Sequence, residues 1–180
     1  MIIPYINFHT HHPVYENEFS LGGEEYGMDR RWECPLPQQE EIFRQHVLES
    51  ERDAKPLVIH CVKTLEDILR IHKEMRPRQP WIMHGFRGKP RQLQSLISAG
   101  IYVSFGLHYN RESLLLCPLE MMFLETDDTA LPIEPLYKEV AQHRGISTEA
   151  LKQKIWENAN KLFPHLAFSP LIRNFASKFN

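Results

Sequence analysis

Short apolar runs alternate along the chain with segments whose apolar residues recur every three or four positions. This is the pattern of parallel strands joined by helices. The first run is Ile2 to Phe8, followed by a polar, glycine-containing stretch. From Leu36-Pro37 a helical pattern puts Ile42, Phe43, His46 and Val47 on one face until Pro56 stops it, and Leu57-Val58-Ile59 reads as a buried strand. Thr64 and Asp67 are spaced as a capping box for a helix carrying Leu65, Ile68, Leu69 and Met75. Pro77 and Pro80 break it ahead of the strand Trp81-Ile82-Met83. Pro90 opens a helix with Leu93, Leu96 and Ile97 that Gly100 closes. Ile101 to Phe105 is the next strand, Asn110 caps a short helix through Leu116, and Met121 to Leu124 is the last strand. Helices follow at about 134–144, ended by Gly145, and about 148–162, ended by Pro164. These elements make one domain over 1–164, and 165–180, with Leu171, Phe175 and Phe179, is a C-terminal tail or docking helix.

A chain of 180 residues with 42% hydrophobic and 24% charged positions has the composition of one globular domain. Disordered, collagen-like and disulfide-scaffold classes are excluded. Cys34, Cys61 and Cys117 are odd in number and far apart, so buried free thiols in a reducing compartment are expected. A formal net charge of −2 argues against a dedicated duplex binder but leaves room for a local grip on nucleic acid. No apolar run reaches the roughly 18 residues of a membrane helix. Histidines follow the N-terminus too early for a secretory signal, so a cytoplasmic location is expected.

Histidine changes the picture more by placement than by its count of 10. His9 and His11, at i and i+2 after the first run, point the same way from an extended backbone. His60 and His84 each end an apolar strand, and Asp127 lies just past another. Active-site residues of parallel barrels gather at such C-terminal strand ends. One histidine there is usually a satisfied hydrogen-bonder, but five metal-capable residues at corresponding ends point to a metal site. Imidazole with carboxylate suits Zn, Mn, Fe or Ni, and carboxylate with water also suits Mg. Lys63 and Arg87 follow His60 and His84 in strand-to-helix loops, as phosphate-gripping residues would, with Lys89 a weaker candidate. The group Arg30-Arg31-Trp32 reads either as plain surface or as a cation paired with base stacking on a single strand. His46, His72 and His143 lie within helices and read as structural. His12 is a neighbour of the ligands or merely exposed, and His108 is a candidate substrate contact.

The stretches NFHTHH, PLVIHCVKT, WIMHGFRGKP, IYVSFG and FLETDD together resemble the TatD-like metal-dependent deoxyribonucleases of the amidohydrolase superfamily. The closing ENANKLFP resembles the end of that family's last helix. The resemblance implies a TIM-like (β/α) metallohydrolase barrel with two divalent metal ions (Mg, Mn or Zn) at its C-terminal face. It assigns His9, His11 and Asp127 to the first metal and His60 and His84 to the second. A bridging glutamate falls on Glu25 if Glu24-Glu25-Tyr26-Gly27-Met28-Asp29 matches the family's glutamate motif, and on Glu24 in the competing register. Asp127 would orient the attacking water as base, with Glu25 beside it. Glu125 would orient a ligand or form a salt bridge across the barrel end.

Only 13 residues (12–24) separate His11 from Glu25, where the family spends many tens on two further strand–helix units. Strands ending near His9, Glu25, His60, His84, Phe105 and Asp127 predict an α/β barrel shortened to about six units. Its raw edges need cover from the tail or from homo-oligomerisation. The implied activity is hydrolysis of DNA phosphodiester bonds by a metal-activated hydroxide, exonucleolytically and on single-stranded ends. The rival readings are another ester, lactone or amide hydrolase, and an inactive remnant acting as an interaction protein.

Overall fold

In a computed structural model, which describes residues 3–22 and 24–164, seven strands all run parallel. They are β1 (Tyr5–His9), β2 (Glu18–Gly22), β3 (Tyr26–Asp29), β4 (Leu57–Val62), β5 (Trp81–Met83), β6 (Tyr102–Phe105) and β7 (Met122–Leu124). Ladders join β1 to β2 and β3 through β7 in chain order. Beyond their ends β1 and β7 are stitched by Asp127 N–H donating to His9 O at 3.0 Å and His11 N–H to Asp127 O at 3.1 Å. The sheet therefore runs β2-β1-β7-β6-β5-β4-β3 and curls into a shortened TIM-like barrel, open between β2 and β3.

Among the described residues four α-helices connect the strands from β3 to β7, namely α1 (Leu36–Asp53), α2 (Leu65–Met75), α3 (Pro90–Ser98) and α4 (Arg111–Leu116), and two more, α5 (Glu134–Arg144) and α6 (Thr148–Leu162), follow β7. Helix α1 packs on β3, α2 on β4, α3 on β6, and α6 on β1 and β7. The strands are buried on both faces, which is why most read as continuous apolar runs. In β1 the two-residue period separates Ile6 and Phe8 from Asn7 and His9. Phe8 packs against Phe123 and against Phe163 behind α6. On the other face Asn7 exchanges hydrogen bonds with Thr126, and His9 reaches the site.

Several local expectations change. Strand β2 lies in the stretch read as merely polar, raising the strand count from six to seven. Its Glu18 is buried and accepts the Ile133 N–H that starts α5, a role no hydrophobic pattern encodes. Ile42, expected on the inner face of α1, is exposed, and Gln39 takes an inner position by bonding both the N–H and the carbonyl of Asp29. Thr64 does not cap α2; its hydroxyl donates to Met28 O at 2.8 Å, tying the helix start to β3. Only Cys117 of the three free thiols is buried, whereas Cys34 and Cys61 are partly exposed. The segment 165–180, read as a C-terminal tail or docking helix, lies outside the described residues.

Candidate metal centre

The stitch between β1 and β7 sets His9, His11 and Asp127 side by side. His9 Nε2 lies 3.2 Å from His11 Nε2 and 3.8 Å from Asp127 Oδ1, and His11 Nε2 lies 3.7 Å from the same oxygen. Asp127 has a left-handed φ of 53°, a conformation that aspartate tolerates better than bulkier residues. Adjacent ladders bring up the second pair, with His60 Nδ1 3.2 Å from His84 Nε2. His60 does not end its strand: β4 continues through Val62, so His60 lies within it.

Glu25 joins the two groups, but from a different place than expected. It precedes β3 instead of ending it, because Tyr26 already pairs with Ile59. On the other side of the opening, Gly22 of β2 is in register with His9. A short link from there delivers Glu25 to the barrel mouth, where its carboxylate contacts His84 and lies 3.6 Å from both His9 Nε2 and His60 Nδ1. Glu24 is exposed and accepts the Tyr26 hydroxyl, so Glu25 is the carboxylate that reaches the histidines.

This donor set fits divalent cations. Donors 3.2–3.8 Å apart are spaced like the edges of a coordination polyhedron with bonds of about 2.0–2.2 Å. Two imidazole nitrogens facing each other at 3.2 Å must share a single proton or a cation. The sets His9–His11–Glu25, His9–His84–Asp127 and Glu25–His60–His84 each bring their ligand atoms within 4.8 Å of one another.

The sequence model of the TatD related DNase family matches residues 22–164. The chain belongs to the TatD-related DNase family. The human 3'-5' RNA nuclease TATDN2 is 30% identical over 143 residues, covering 72% of this chain and 19% of that protein. The metal-dependent hydrolase YabD of Bacillus subtilis is 27% identical over 172 residues, 83% of this chain and 67% of that one. The crystal structure of YJJV, a TatD homologue from Escherichia coli, superposes with a TM-score of 0.70 at 18% identity, over 78% of this chain and 62% of that one. The chain thus spans between a fifth and two thirds of these relatives, and the fold is shared despite the missing length.

Beside this cluster, buried Glu125 accepts the Gly85 N–H at 2.6 Å and faces His84 Nδ1 at 3.3 Å, so it orients the His84 ring. Burial works against charge on His84, but hydrogen bonds and negative charge from Glu125 and Glu25 prevail and push it up to about 10. Burial would likewise raise the Glu25 carboxyl, yet His60 and His84 hold it well below the usual carboxylate range. His60 is raised by its bond to Glu25, whereas burial lowers His9.

A cavity of about 1000 Å³ opens beside His60, His84 and Asp127 and is lined by Lys63 and Arg87, the two expected phosphate grips. Arg30, Arg31 and Arg91 line it as well. Lys89 and His108 are not among its lining residues. Sequence reasoning missed Asp29, which is buried with Oδ2 3.3 Å from His60 Nε2. Its place as the last residue of the Glu24–Asp29 motif was the available signal. Among the described residues no helix is long and apolar enough to cross a membrane.

Proposed function

We infer that this chain is a two-metal phosphodiesterase that cuts nucleic-acid strands, with DNA ends as the first substrate class to test. The observation that carries the reading is the convergence of four histidines and two carboxylates, from the ends of β1, β5 and β7, from within β4 and from the link before β3, at the barrel mouth. His9, His11 and Asp127 would hold one ion, His60 and His84 the other, and Glu25 would lie between them. Divalent ions in such a pair lower the pKa of water and neutralise charge on the attacked phosphate oxygens. Asp127, with a quarter of its side chain exposed, is the carboxylate placed to orient water and take its proton. Lys63 and Arg87 would bind the non-bridging oxygens of the strand in the adjoining cavity.

The family model's name and that of the human relative together point to phosphodiesters of DNA or RNA. A parallel assay on both, single- and double-stranded, decides among them, and 5′- or 3′-labelled ends show the polarity. The deciding experiment for the centre is calorimetric titration of chelator-stripped protein with Mn²⁺. Two sites per chain are expected, and one or none would overturn the two-metal reading. His60→Ala and His84→Ala should each lower metal-stimulated cleavage by roughly a hundredfold or more while the protein stays soluble. Full activity in either would remove that residue from the site.

A further inference from the structure

Of the three tryptophans, Trp32 stands out, because half its surface is exposed although it sits one ring away from the metal centre. Its indole lies parallel to the His60 ring, with centroids 5.3 Å apart and planes at 3°. His60 in turn stacks on His84 at 5.4 Å. An aromatic column therefore runs outward from the centre and ends in the indole.

The turn that carries Trp32 is firmly tied. Trp32 N–H donates to Asp29 O at 3.2 Å, and Arg31 N–H donates to Asp29 Oδ1 at 2.7 Å. The neighbouring cations are already engaged: Arg31 pairs with Asp29 at 3.1 Å and Arg30 with Asp67 at 2.9 Å. Arg30 also donates to Lys63 O at 2.6 Å. What this turn offers a strand is thus a preordered π-face beside a cavity lined with cations, more than fresh positive charge. An indole in such a place matches an unpaired base, since every base has a π-face and a paired, stacked one does not present it.

We propose that Trp32 is the stacking platform for an unpaired nucleobase next to the phosphate being cut, so that the site selects single strands and frayed ends over intact duplex. This rests on the nucleic-acid reading above and deepens it. A base seated there continues the column His84–His60–Trp32 and fixes the strand relative to the metals without adding charge contacts.

The test measures binding of a phosphorothioate-linked single-stranded hexanucleotide to the metal-loaded protein. Trp32→Leu should raise Kd roughly 5- to 150-fold, while Trp32→Phe recovers most of the affinity. The slope of log Kd against log salt should not change, because no ionic contact is removed. An abasic residue walked along the strand should, at one position, weaken binding to the wild-type protein by the same factor and leave Trp32→Leu unaffected. Counting Mn²⁺ sites in each variant separates loss of stacking from damage to His60. If the wild-type protein cleaves the unmodified strand but Trp32→Leu binds as well and no abasic position couples to it, the platform alone is overturned. If the metal-loaded wild-type protein neither binds nor cleaves any strand, the nucleic-acid reading is overturned and the platform with it.

Discussion

Glu125 has no exposed surface, and its carboxylate makes contact with the Gly85 N–H and the His84 ring. A carboxylate there fixes the imidazole so that Nε2 faces Glu25, the arrangement in which, were His84 a metal ligand, an outer carboxylate would raise its basicity. Glu125→Gln keeps the Gly85 bond but removes the charge, so affinity for Mn²⁺ should fall 10- to 100-fold with the fold intact. Unchanged affinity by calorimetry would relegate Glu125 to packing. The same contacts give the metal-free chain a defined pH dependence. With His84 pushed up to about 10, its ring is protonated at neutral pH, and a cation must displace that proton. Affinity should therefore rise with pH between 6 and 8, with proton release measurable by titrating in buffers of different ionisation heat. Glu125→Gln should release fewer protons. For the metal-free fold the sign is opposite. A raised histidine pKa contributes stability that is full below the unfolded value of 6.5 and is lost as pH rises through about 10.

At the scale of elements, Gly27 is the position the β3–β4 pairing cannot do without. A Cβ there would lie 1.8 Å from the His60 carbonyl oxygen, which is backbone and cannot step aside. Gly27→Ala should cost about 3 kcal/mol or more and displace His60, read as a lower melting temperature together with lost Mn²⁺ binding. A normal melting temperature would mean that β3 pairs differently. Strands β1, β4, β5, β6 and β7 were legible in the sequence because burial on both faces leaves a plain apolar run. Helices α3, α4, α5 and α6 were legible from Pro90, Asn110, Gly145 and Pro164, whose backbone chemistry marks ends. Strand β2 was not legible, because its buried Glu18 is satisfied by the start of α5 across the chain. Nor could the sequence place Glu25 before its strand. That depends on Tyr26 pairing with Ile59, and register is a property of two strands. Thr64 shows the same limit, since its hydroxyl serves β3 in place of its own helix.

For the molecule as a whole, the missing length leaves an opening between β2 and β3, and the candidate ligands lie on both sides of it. His9 comes from β1, next to β2; Glu25 comes from the link across the opening; His60 comes from β4, next to β3. Ions at the mouth would thus cross-link the two edges that lack a ladder between them. Metal should stabilise this chain through the fold as well as serve its chemistry. At a free concentration a hundredfold above Kd, the gain is about 2.7 kcal/mol, or roughly 5–10 °C in melting temperature for a domain of this size. Glu25→Gln removes a charged ligand at the link and should lose most of that shift, measured against the variant's own melting temperature in chelator, which falls as well because the charge that supports His84 is gone. Amide exchange should slow on metal addition most in β2 and β3, the two strands that flank the opening. If exchange in β2 and β3 is already slow in chelator, something else covers the opening, and the mass measured by sedimentation tells whether it is a second copy of the chain. A uniform slowing over all seven strands would mean that the ions stabilise the barrel generally and that Glu25 does not bind its edges together.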